Sequence, residues 1–418
     1  MFPMPTRGPQ TGASKFDLDG QEHIKHVMWN LSQTTNCYSG ANQEAQVQVI
    51  RVALVISSLG PGGAERVLCD LANRLADRRY LVTLVTLSDV NSDFYIPHPM
   101  VRRIGLGVLG ESNSIPKRIV NLVTRVVSLR NALMSWRPDI IISFADQTNV
   151  LTLLATLGTR LPVIISERTD PRLHRISRGW CVLRKLLYPR CAAMVAQTLS
   201  IGDWMKREYR LKSLRVIPNR ALSPTEESDS ERYEMEKPFL TSIGRLDQNK
   251  NFGLLIKAFA QIAPRHPEWH LVIVGEGPLR GELERLVNDL GLTGRVHLPG
   301  LVRSPKVILE QAELFVLPSK YEGFPNALLE AMAMGLPVIS TDCCGPREII
   351  DHNVNGILVP RGDVDALTGA IEELIKDPKK REALTTEAQL VLERFNGEKI
   401  FQQWETLIDD LVIAKARK

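Results

Sequence analysis

Short apolar runs recur along the chain from residue 51 onward, and most of them lead through a glycine-rich or polar stretch into a helical pattern. Such runs lie at 52–56, 82–87, 163–166, 314–317 and 338–340. Strands that are apolar on both faces are typical of parallel sheets covered by helices on both sides. The alternation therefore predicts an α/β protein, and a length of 418 residues favours two such domains over one.

Changes in composition indicate where the domains begin and end. Residues 1–48 are polar with little periodicity, which predicts a disordered segment or an extension upstream of the true start. We expect an N-terminal domain over 49–221, a polar linker over 222–237, a C-terminal domain over 238–394 and a last helix over 395–418. No run approaches the roughly 18 apolar residues that a membrane-spanning helix needs.

One predicted helix has an unusual basic border. Between residues 115 and 136, apolar residues recur at helical spacing, at Ile115, Ile119, Leu122, Val126, Leu129 and Leu133. Arg118 and Arg125 lie along one edge of this stripe and Arg130 along the other. The pattern fits a helix that lies on an anionic membrane, and it equally fits a helix packed on the first sheet with a solvated border. Both interpretations stay open.

The net charge of +5 conceals a marked asymmetry. Residues 51–220 contain 26 basic and 12 acidic side chains, a net of +14, whereas 221–418 contain 23 and 31, a net of −8. A basic half favours an anionic partner: a membrane surface, a pyrophosphate-bearing acceptor or a nucleic acid. Nucleic acid is disfavoured because aromatic residues are not interleaved with the cations and no recognition motif is present.

The cysteines predict a reducing, cytoplasmic environment. They are scattered at positions 37, 69, 181, 191, 343 and 344, without a Cys-x-x-Cys pair. This spacing matches neither a disulfide framework nor a zinc site. We expect no metal and no cofactor.

Two carboxylates eight residues apart are the strongest candidates for chemistry. Glu322 precedes Gly-Phe-Pro, and Pro325 suits the first position of a helix that would carry Glu330 about two turns further on. Peptide N–H groups near Phe324, Asn326 and Ala327 would then lack helical partners, at an end where the helix dipole favours an anion. A phosphate group is the natural ligand for this position.

Two further segments at strand ends predict phosphate binding. Arg245 and Lys250 flank a turn after the strand at 239–243, and two converging cations are costly unless an anion lies between them. Gly62 and Gly63 follow the first strand, where glycine allows a backbone to approach a phosphate closely. The dinucleotide fingerprint is incomplete because its third glycine position holds Glu65, which disfavours a dehydrogenase.

Polar residues after other strands of the first half are candidates for the acceptor side. Asp146 follows the strand at 138–143, Glu167 and Arg168 follow the strand at 163–166, and Asn219 follows the strand at 216–218. The carboxyl ends of parallel strands meet at one edge of a sheet, where open α/β sheets bind their ligands.

The combination of Gly244-Arg245-Leu246-x-x-x-Lys250 with Glu322-x7-Glu330, followed by Gly-Leu-Pro-Val-Ile, resembles a known signature. It is similar to that of the large retaining GT-B glycosyltransferases (glycosyltransferase family 4, group 1), which include bacterial lipopolysaccharide, capsule and polyprenyl-linked oligosaccharide transferases. The resemblance covers roughly residues 51–395. Many relatives place a histidine near the transferred sugar, and here Arg168 stands at the matching position.

The resemblance implies two doubly wound Rossmann-like domains that face each other across a cleft, with the donor on the second and the acceptor on the first. It implies that Arg245 and Lys250 hold the donor pyrophosphate and that Gly62 and Gly63 reach it from the opposite wall. It also implies that Glu330 binds the ribose diol, and that the last helix crosses back to the first domain.

We therefore expect metal-independent transfer, with retention, of a hexose or N-acetylhexosamine from a nucleoside-diphosphate sugar to a saccharide acceptor. We favour a UDP-sugar as the donor and a lipid-linked saccharide as the acceptor. We expect the protein at the inner face of the cytoplasmic membrane. In one mechanism the leaving phosphate deprotonates the incoming hydroxyl; in the other a carboxylate, Glu322, forms a covalent intermediate. We favour the first, with Glu322 binding donor-sugar hydroxyls. The alternatives are a silent nucleotide-sugar-binding protein and a GT-B sugar-nucleotide epimerase.

Overall fold

The computed structural model of the protein describes residues 49–110, 114–223 and 235–417. The predicted N-terminal segment lies outside these residues, and so does most of the predicted linker. Two parallel sheets organise the described chain, each with helices on both faces. This architecture confirms the predicted fold class.

The first sheet has the strand order β3-β2-β1-β4-β5-β6-β7, and every neighbouring pair is parallel. Its strands are β1 (Ile50–Ile56), β2 (Tyr80–Thr86), β3 (Arg102–Gly105), β4 (Ile140–Phe144), β5 (Val163–Ser166), β6 (Ala193–Ala196) and β7 (Leu214–Val216). Its helices are α1 (Gly63–Ala76), α2 (Ile115–Trp136), α3 (Asp146–Ala155), α4 (Arg178–Leu187) and α5 (Leu199–Tyr209).

The second sheet has the order β10-β9-β8-β11-β12-β13. Its strands are β8 (Phe239–Ile243), β9 (His270–Val274), β10 (Val296–Gly300), β11 (Leu314–Leu317), β12 (Val338–Thr341) and β13 (Ile357–Val359). The helices that follow are α6 (Phe252–Ile262), α7 (Arg280–Asp289), α8 (Lys306–Leu309), α9 (Asn326–Ala333), α10 (Cys344–Ile349), α11 (Val364–Lys376), α12 (Pro378–Ala388), α13 (Val391–Arg394) and α14 (Gly397–Ala416).

Strand β1 illustrates why these runs are apolar throughout. Val52, Leu54 and Ile56 point into a core shared with α1, whereas Ala53 and Val55 point into a second core on the opposite face of the sheet. Side chains alternate between the two faces of a strand, so a strand covered on both sides needs apolar residues at every position.

Helix α14 leaves the second domain and packs against α1 and β4 of the first. Trp404 lies against Phe144, with ring centroids 5.9 Å apart. The Tyr80 hydroxyl donates to Asp409 Oδ1 at 3.0 Å, and Arg78 pairs with Glu398 at 2.7 Å. Because one element belongs to both domains, the relative position of the two cleft walls is constrained by this helix.

Helix α2 confirms the packed interpretation for part of its apolar stripe, and the membrane interpretation stays a prediction. Leu129 and Leu133 are buried in the first domain, and Leu122 and Val126 pack against the same core. The predicted stripe fails near the start of the helix, where Ile119 is 58 % exposed; the side chain of Ile115 lies outside the description. Val120, Val123 and Val127 are exposed beside Ile119. Within the described residues, no helix is long and apolar enough to cross a bilayer.

Candidate active site in the interdomain cleft

The carboxyl ends of both sheets open onto one cleft between the domains. The cleft has a cavity volume of about 620 Å³, and its walls contain most of the residues that the motifs predicted. From the first domain these are Gly62, Gly63, Arg168 and Asn219, and from the second Arg245, Lys250, Glu322, Phe324, Asn326, Ala327 and Glu330. Loops at this edge of a parallel sheet are the usual position for ligands.

Lys250 and Glu322 form a compact pair on the second wall. Lys250 Nζ lies 2.6 Å from Glu322 Oε1, and the Ser319 hydroxyl donates to the same oxygen at 2.6 Å. Asn249 fixes the loop before Glu322 by bonding both the N–H and the carbonyl of Tyr321. The ammonium group is therefore held in place by the protein itself before any substrate enters.

Arg245 is held much more loosely than Lys250. Its side chain is 72 % exposed, and its nearest carboxylate, Asp247, lies 4.0 Å away. The two cations line one cleft, but Lys250 is partly neutralised by Glu322 and Arg245 extends into solvent. Arg245 is consequently the cation that an incoming anion can engage without displacing a carboxylate.

The helix that carries Glu330 starts later than its sequence suggested. Pro325 has an extended backbone with ψ of 110° and caps the helix, so α9 begins at Asn326. The Pro325 carbonyl accepts from the Leu329 N–H at 3.3 Å, which makes proline the residue before the first turn. Glu330 therefore lies little more than one turn into the helix. The N-terminal end of the helix, where the N–H groups lack helical partners, points toward the cleft.

Direct contacts close the cleft at the foot of α9. Arg66 of the first domain donates to Glu330 Oε1 at 2.8 Å. The Asn326 side-chain amide donates to the Gly63 carbonyl at 3.1 Å, and Asn219 donates to Asn326 Oδ1 at 2.5 Å and to the Phe324 carbonyl at 3.1 Å. The carboxylate expected to bind a ribose diol is thus paired with a guanidinium from the opposite wall. The sequence analysis missed Arg66, although its place one turn into the helix after the glycine turn was a usable signal.

The Glu65 side chain lies against the Gly62 turn. Gly62 caps α1, and a Cβ built on it would overlap the Glu65 carboxylate, which folds back over the turn. Burial raises the pKa of Glu65, while its own backbone N–H and the cations Arg168 and Arg245 act in the opposite direction. The residue that the sequence analysis treated as a missing glycine is therefore a carboxylate in the wall of the cleft.

Arg168 lies at the end of β5, where its guanidinium stacks on Phe144 at 4.2 Å from the ring centroid. It donates to Asn219 Oδ1 at 2.8 Å and to the Ser166 hydroxyl at 3.3 Å, and both of these partners are neutral. Burial lowers the pKa of Arg168 to about 9, and Glu65 partly opposes this shift. A cation in such surroundings favours an anion or an electron-rich oxygen at the open side of the cleft.

Glu167 and Asp146 are not among the described residues that line the cleft. Glu167 is 2 % exposed and accepts from the Tyr188 hydroxyl at 2.5 Å and from Arg184 at 3.0 Å. Burial raises its pKa against the effect of Arg184. Asp146 begins α3, and its Oδ2 lies 3.6 Å from His174 Nε2. Both carboxylates lie beneath the first wall, because the chain turns inward where the polar residues follow the strands.

Two Rossmann-like domains that meet across a cleft, with a cation pair and two spaced carboxylates on the second wall, define a GT-B glycosyltransferase. Residues 61–219 match the family model described as Glycosyltransferase Family 4, and residues 224–391 match that described as Glycosyl transferases group 1. The chain belongs to this family. It is a glycosyltransferase of polysaccharide or glycan biosynthesis, as the motifs predicted.

Several known proteins similar to this chain are covered over nearly their whole length. It is 30% identical over 365 residues to the GalNAc-α-(1→4)-GalNAc-α-(1→3)-diNAcBac-PP-undecaprenol α-1,4-N-acetyl-D-galactosaminyltransferase of Campylobacter jejuni, covering 87% of this chain and 99% of that protein. Sucrose-phosphate synthase from Thermosynechococcus elongatus superimposes with a TM-score of 0.76 at 22% identity, covering 87% of this chain and 100% of that chain. HepE of Anabaena, solved with UDP-glucose, superimposes with a TM-score of 0.69 at 21% identity, covering 86% and 99%. At these identities the structural likeness establishes the fold.

Proposed function

We propose that the protein transfers a hexose or N-acetylhexosamine, with retention and without a metal ion, from a UDP-sugar to a lipid-linked saccharide. The observation that carries the proposal is the second wall of the cleft, which Lys250, Arg245 and the start of α9 line together. Two cations and a helix N-terminus supply the positive charge that a departing diphosphate needs. They stand where other architectures use a divalent cation.

The arrangement of Glu322 supports attack from the side of the leaving group. Its Oε1 is engaged by Lys250 and by Ser319, which suits a carboxylate that orients a lysine and accepts from sugar hydroxyls. In this mechanism the acceptor oxygen bonds to the anomeric carbon as the bond to the diphosphate breaks. The hydroxyl proton passes to a phosphate oxygen of the leaving group on the same face, so the anomeric configuration is retained and no protein base is needed.

Arg66 and Glu330 fit a coupling between donor binding and the contact of the two walls. A ribose diol can donate two hydrogen bonds to the Glu330 carboxylate, which at present accepts from Arg66. Gly62 and Gly63 line the opposite wall of the same cleft. We assign the donor to the second wall, and the acceptor to the first, around Arg168 and Asn219.

The lipid-linked acceptor is inferred from relatives and from surface charge. The Campylobacter transferase is named for an undecaprenol-linked substrate. On this chain, the first domain combines its positive charge with exposed apolar side chains on α2, at Ile119, Val120, Val123 and Val127, and on α4, at Val182 and Leu186. Helices of this composition bind anionic membranes by inserting apolar side chains between phosphates that pair with arginine and lysine. We place the enzyme at the inner face of the cytoplasmic membrane.

The test is a screen of UDP-, GDP- and ADP-sugars, with and without a polyprenyl-diphosphate-linked saccharide, in the presence of EDTA. We expect one UDP-sugar to be consumed much faster when the acceptor is present, and NMR of the product to show the anomeric configuration of the donor. Arg245→Ala serves as the inactive control. Nucleotide binding without turnover would favour a silent binding protein, and release of an altered free sugar without acceptor would favour an epimerase.

A further inference from the structure

A carboxylate on the first wall of the cleft has no place in the mechanism described above. Glu65 is the third residue of α1, and its side chain folds back over the glycine turn instead of extending along the helix. The turn accommodates it because Gly62 has no side chain: a Cβ at that position would overlap the carboxylate. The Glu65 carboxylate therefore lies over the Gly62 backbone in the wall of the cleft.

The charged groups around Glu65 come from both domains. Arg168 lies on the first wall and Arg245 on the second, and both lower its pKa, although burial raises it more. Tyr95, Arg66 and Glu330 line the same cleft. The pKa of Tyr95 is raised to about 12, mainly by burial, with Glu330 and Glu65 contributing. Arg168, whose described partners are neutral, therefore supplies the balancing charge on the acceptor side.

The position of this carboxylate argues against a phosphate in the same place. A helix N-terminus favours an anion, but at α1 the protein's own carboxylate already lies there. A diphosphate next to it would meet a negative charge, whereas a sugar hydroxyl would meet a hydrogen-bond acceptor. The second wall already provides the cations for the diphosphate, so the group that Glu65 suits is a neutral saccharide on the first wall.

We propose that Glu65 is an acceptor-binding residue, whose carboxylate, in the wall of the cleft, accepts a hydrogen bond from an acceptor-sugar hydroxyl adjacent to the reacting one. The inference rests on the proposed transferase function and adds a residue that selects and orients the acceptor. The reacting hydroxyl still gives its proton to the leaving phosphate, so Glu65 takes no proton during transfer.

Glu65 could instead serve only to cap helix α1, and substitutions of Glu65 distinguish this role from acceptor binding. Glutamate and glutamine at the third helical position both reach back to the backbone at the start of a helix. Glu65→Gln therefore keeps the cap and removes the charge, whereas Glu65→Ala removes both. Glu282→Gln is a matched control because Glu282 is also an acidic residue in the first turn of a helix, α7, and is exposed.

The experiment measures steady-state transfer by the full-length protein and its variants, with donor and acceptor varied separately. We expect Glu65→Gln to raise the acceptor KM about ten-fold or more, the size of a lost charge-assisted hydrogen bond. Donor KM, acceptor-independent donor hydrolysis and Tm should stay at the values of Glu282→Gln. In the wild type, acceptor kcat/KM should fall as pH drops through the raised pKa of Glu65, and Glu65→Gln should lose this dependence.

Each of the following results would overturn the assignment of Glu65. An unchanged acceptor KM in Glu65→Gln together with a lowered Tm in Glu65→Ala would make the residue a helix cap. A rise in donor KM instead of acceptor KM would place it on the donor side. A wild type that transfers to no acceptor would remove the proposed function and this inference together, whereas a wild type that transfers normally beside an unaffected Glu65→Gln would remove the inference alone.

Discussion

The two walls of the cleft are held in different ways. On the second wall, Lys250, Glu322 and Ser319 form short contacts within one domain. On the first wall, Arg66 and Asn219 make their contacts across the cleft, to Glu330 and to the residues that open α9. The Lys250 side of the second wall is therefore held within one domain, whereas part of the first wall is held by contacts to the second domain.

This difference between the walls fits a second wall that acts on the donor diphosphate and a first wall that binds the acceptor saccharide. A preformed arrangement of charge stabilises a developing diphosphate without reorganising during the reaction. A wall whose contacts reach across the cleft can admit a bulky saccharide when the domains separate and enclose it when they meet. Substitutions on the second wall should consequently reduce turnover most, and those on the first should act on binding.

The largest effect is expected for Lys250→Ala. Loss of a preorganised cation next to the leaving group should lower kcat about 10³-fold, or ~4 kcal/mol in the barrier. The variant also leaves Glu322, at 11 % side-chain exposure, without its ammonium partner, so Tm should fall. Arg245→Ala is the matched comparison, since its side chain is 72 % exposed: kcat should fall and Tm should not. Unchanged transfer rates in both variants would contradict the assignment of the second wall.

A second substitution tests the support beneath the first wall. Glu167→Ala leaves the buried Arg184 without its carboxylate and removes the acceptor of the Tyr188 hydroxyl. Loss of one partner of a buried ion pair should destabilise the protein by about 3 kcal/mol, measured by denaturant unfolding. Acceptor and donor KM at low temperature should stay unchanged. A raised acceptor KM with normal stability would return Glu167 to the acceptor site that its sequence position predicted.

A third set of variants tests the contact between the walls. Glu330→Gln should raise donor KM about 30-fold, or ~2 kcal/mol, because a charge-assisted contact to the ribose is lost. Arg66→Ala removes the other partner and should weaken donor binding less. A double-mutant cycle measures how far the two depend on each other. If Glu330→Gln abolishes kcat with donor KM unchanged, the roles proposed for Glu322 and Glu330 must be exchanged.

The sequence predicted those parts of the site whose residues are close together along the chain. Arg245 and Lys250 are five residues apart on one turn, and Glu322 and Glu330 are joined by one short loop and one helix. Within each pair, the spacing along the chain therefore determines the relative position of the two side chains. The contact of Arg66 with Glu330 spans 264 residues and depends on how the domains meet. Glu65 was missed because a side chain that folds back over its own turn leaves no periodic signal.

The acceptor side shows the limit of the strand-end argument. Arg168 and Asn219 follow strands and line the cleft, while Glu167, one residue before Arg168, turns into the protein. Consecutive side chains at a strand end point to opposite sides, so a cluster of polar residues there contributes only some of its members to the site. Burial decides which of these side chains face the cleft. The burial of Glu167 depends on Arg184 of α4 and on Tyr188, which directly follows α4.

The smallest effect is expected at the surface that we assign to the membrane. Val123 is 54 % exposed in the middle of the apolar side chains on α2, and Val123→Asp should weaken binding to vesicles of anionic phospholipid. The lost insertion and the added negative charge each contribute about 1 kcal/mol, so sedimentation with vesicles should show a loss of roughly ten-fold or more.

Val354→Asp is the matched control, because Val354 is 53 % exposed on the second domain. Soluble-acceptor activity should be unchanged in both variants, since neither residue lines the cleft. Equal vesicle binding by the two variants would mean that α2 does not face the bilayer and that the basic first domain meets its lipid-linked acceptor through another surface.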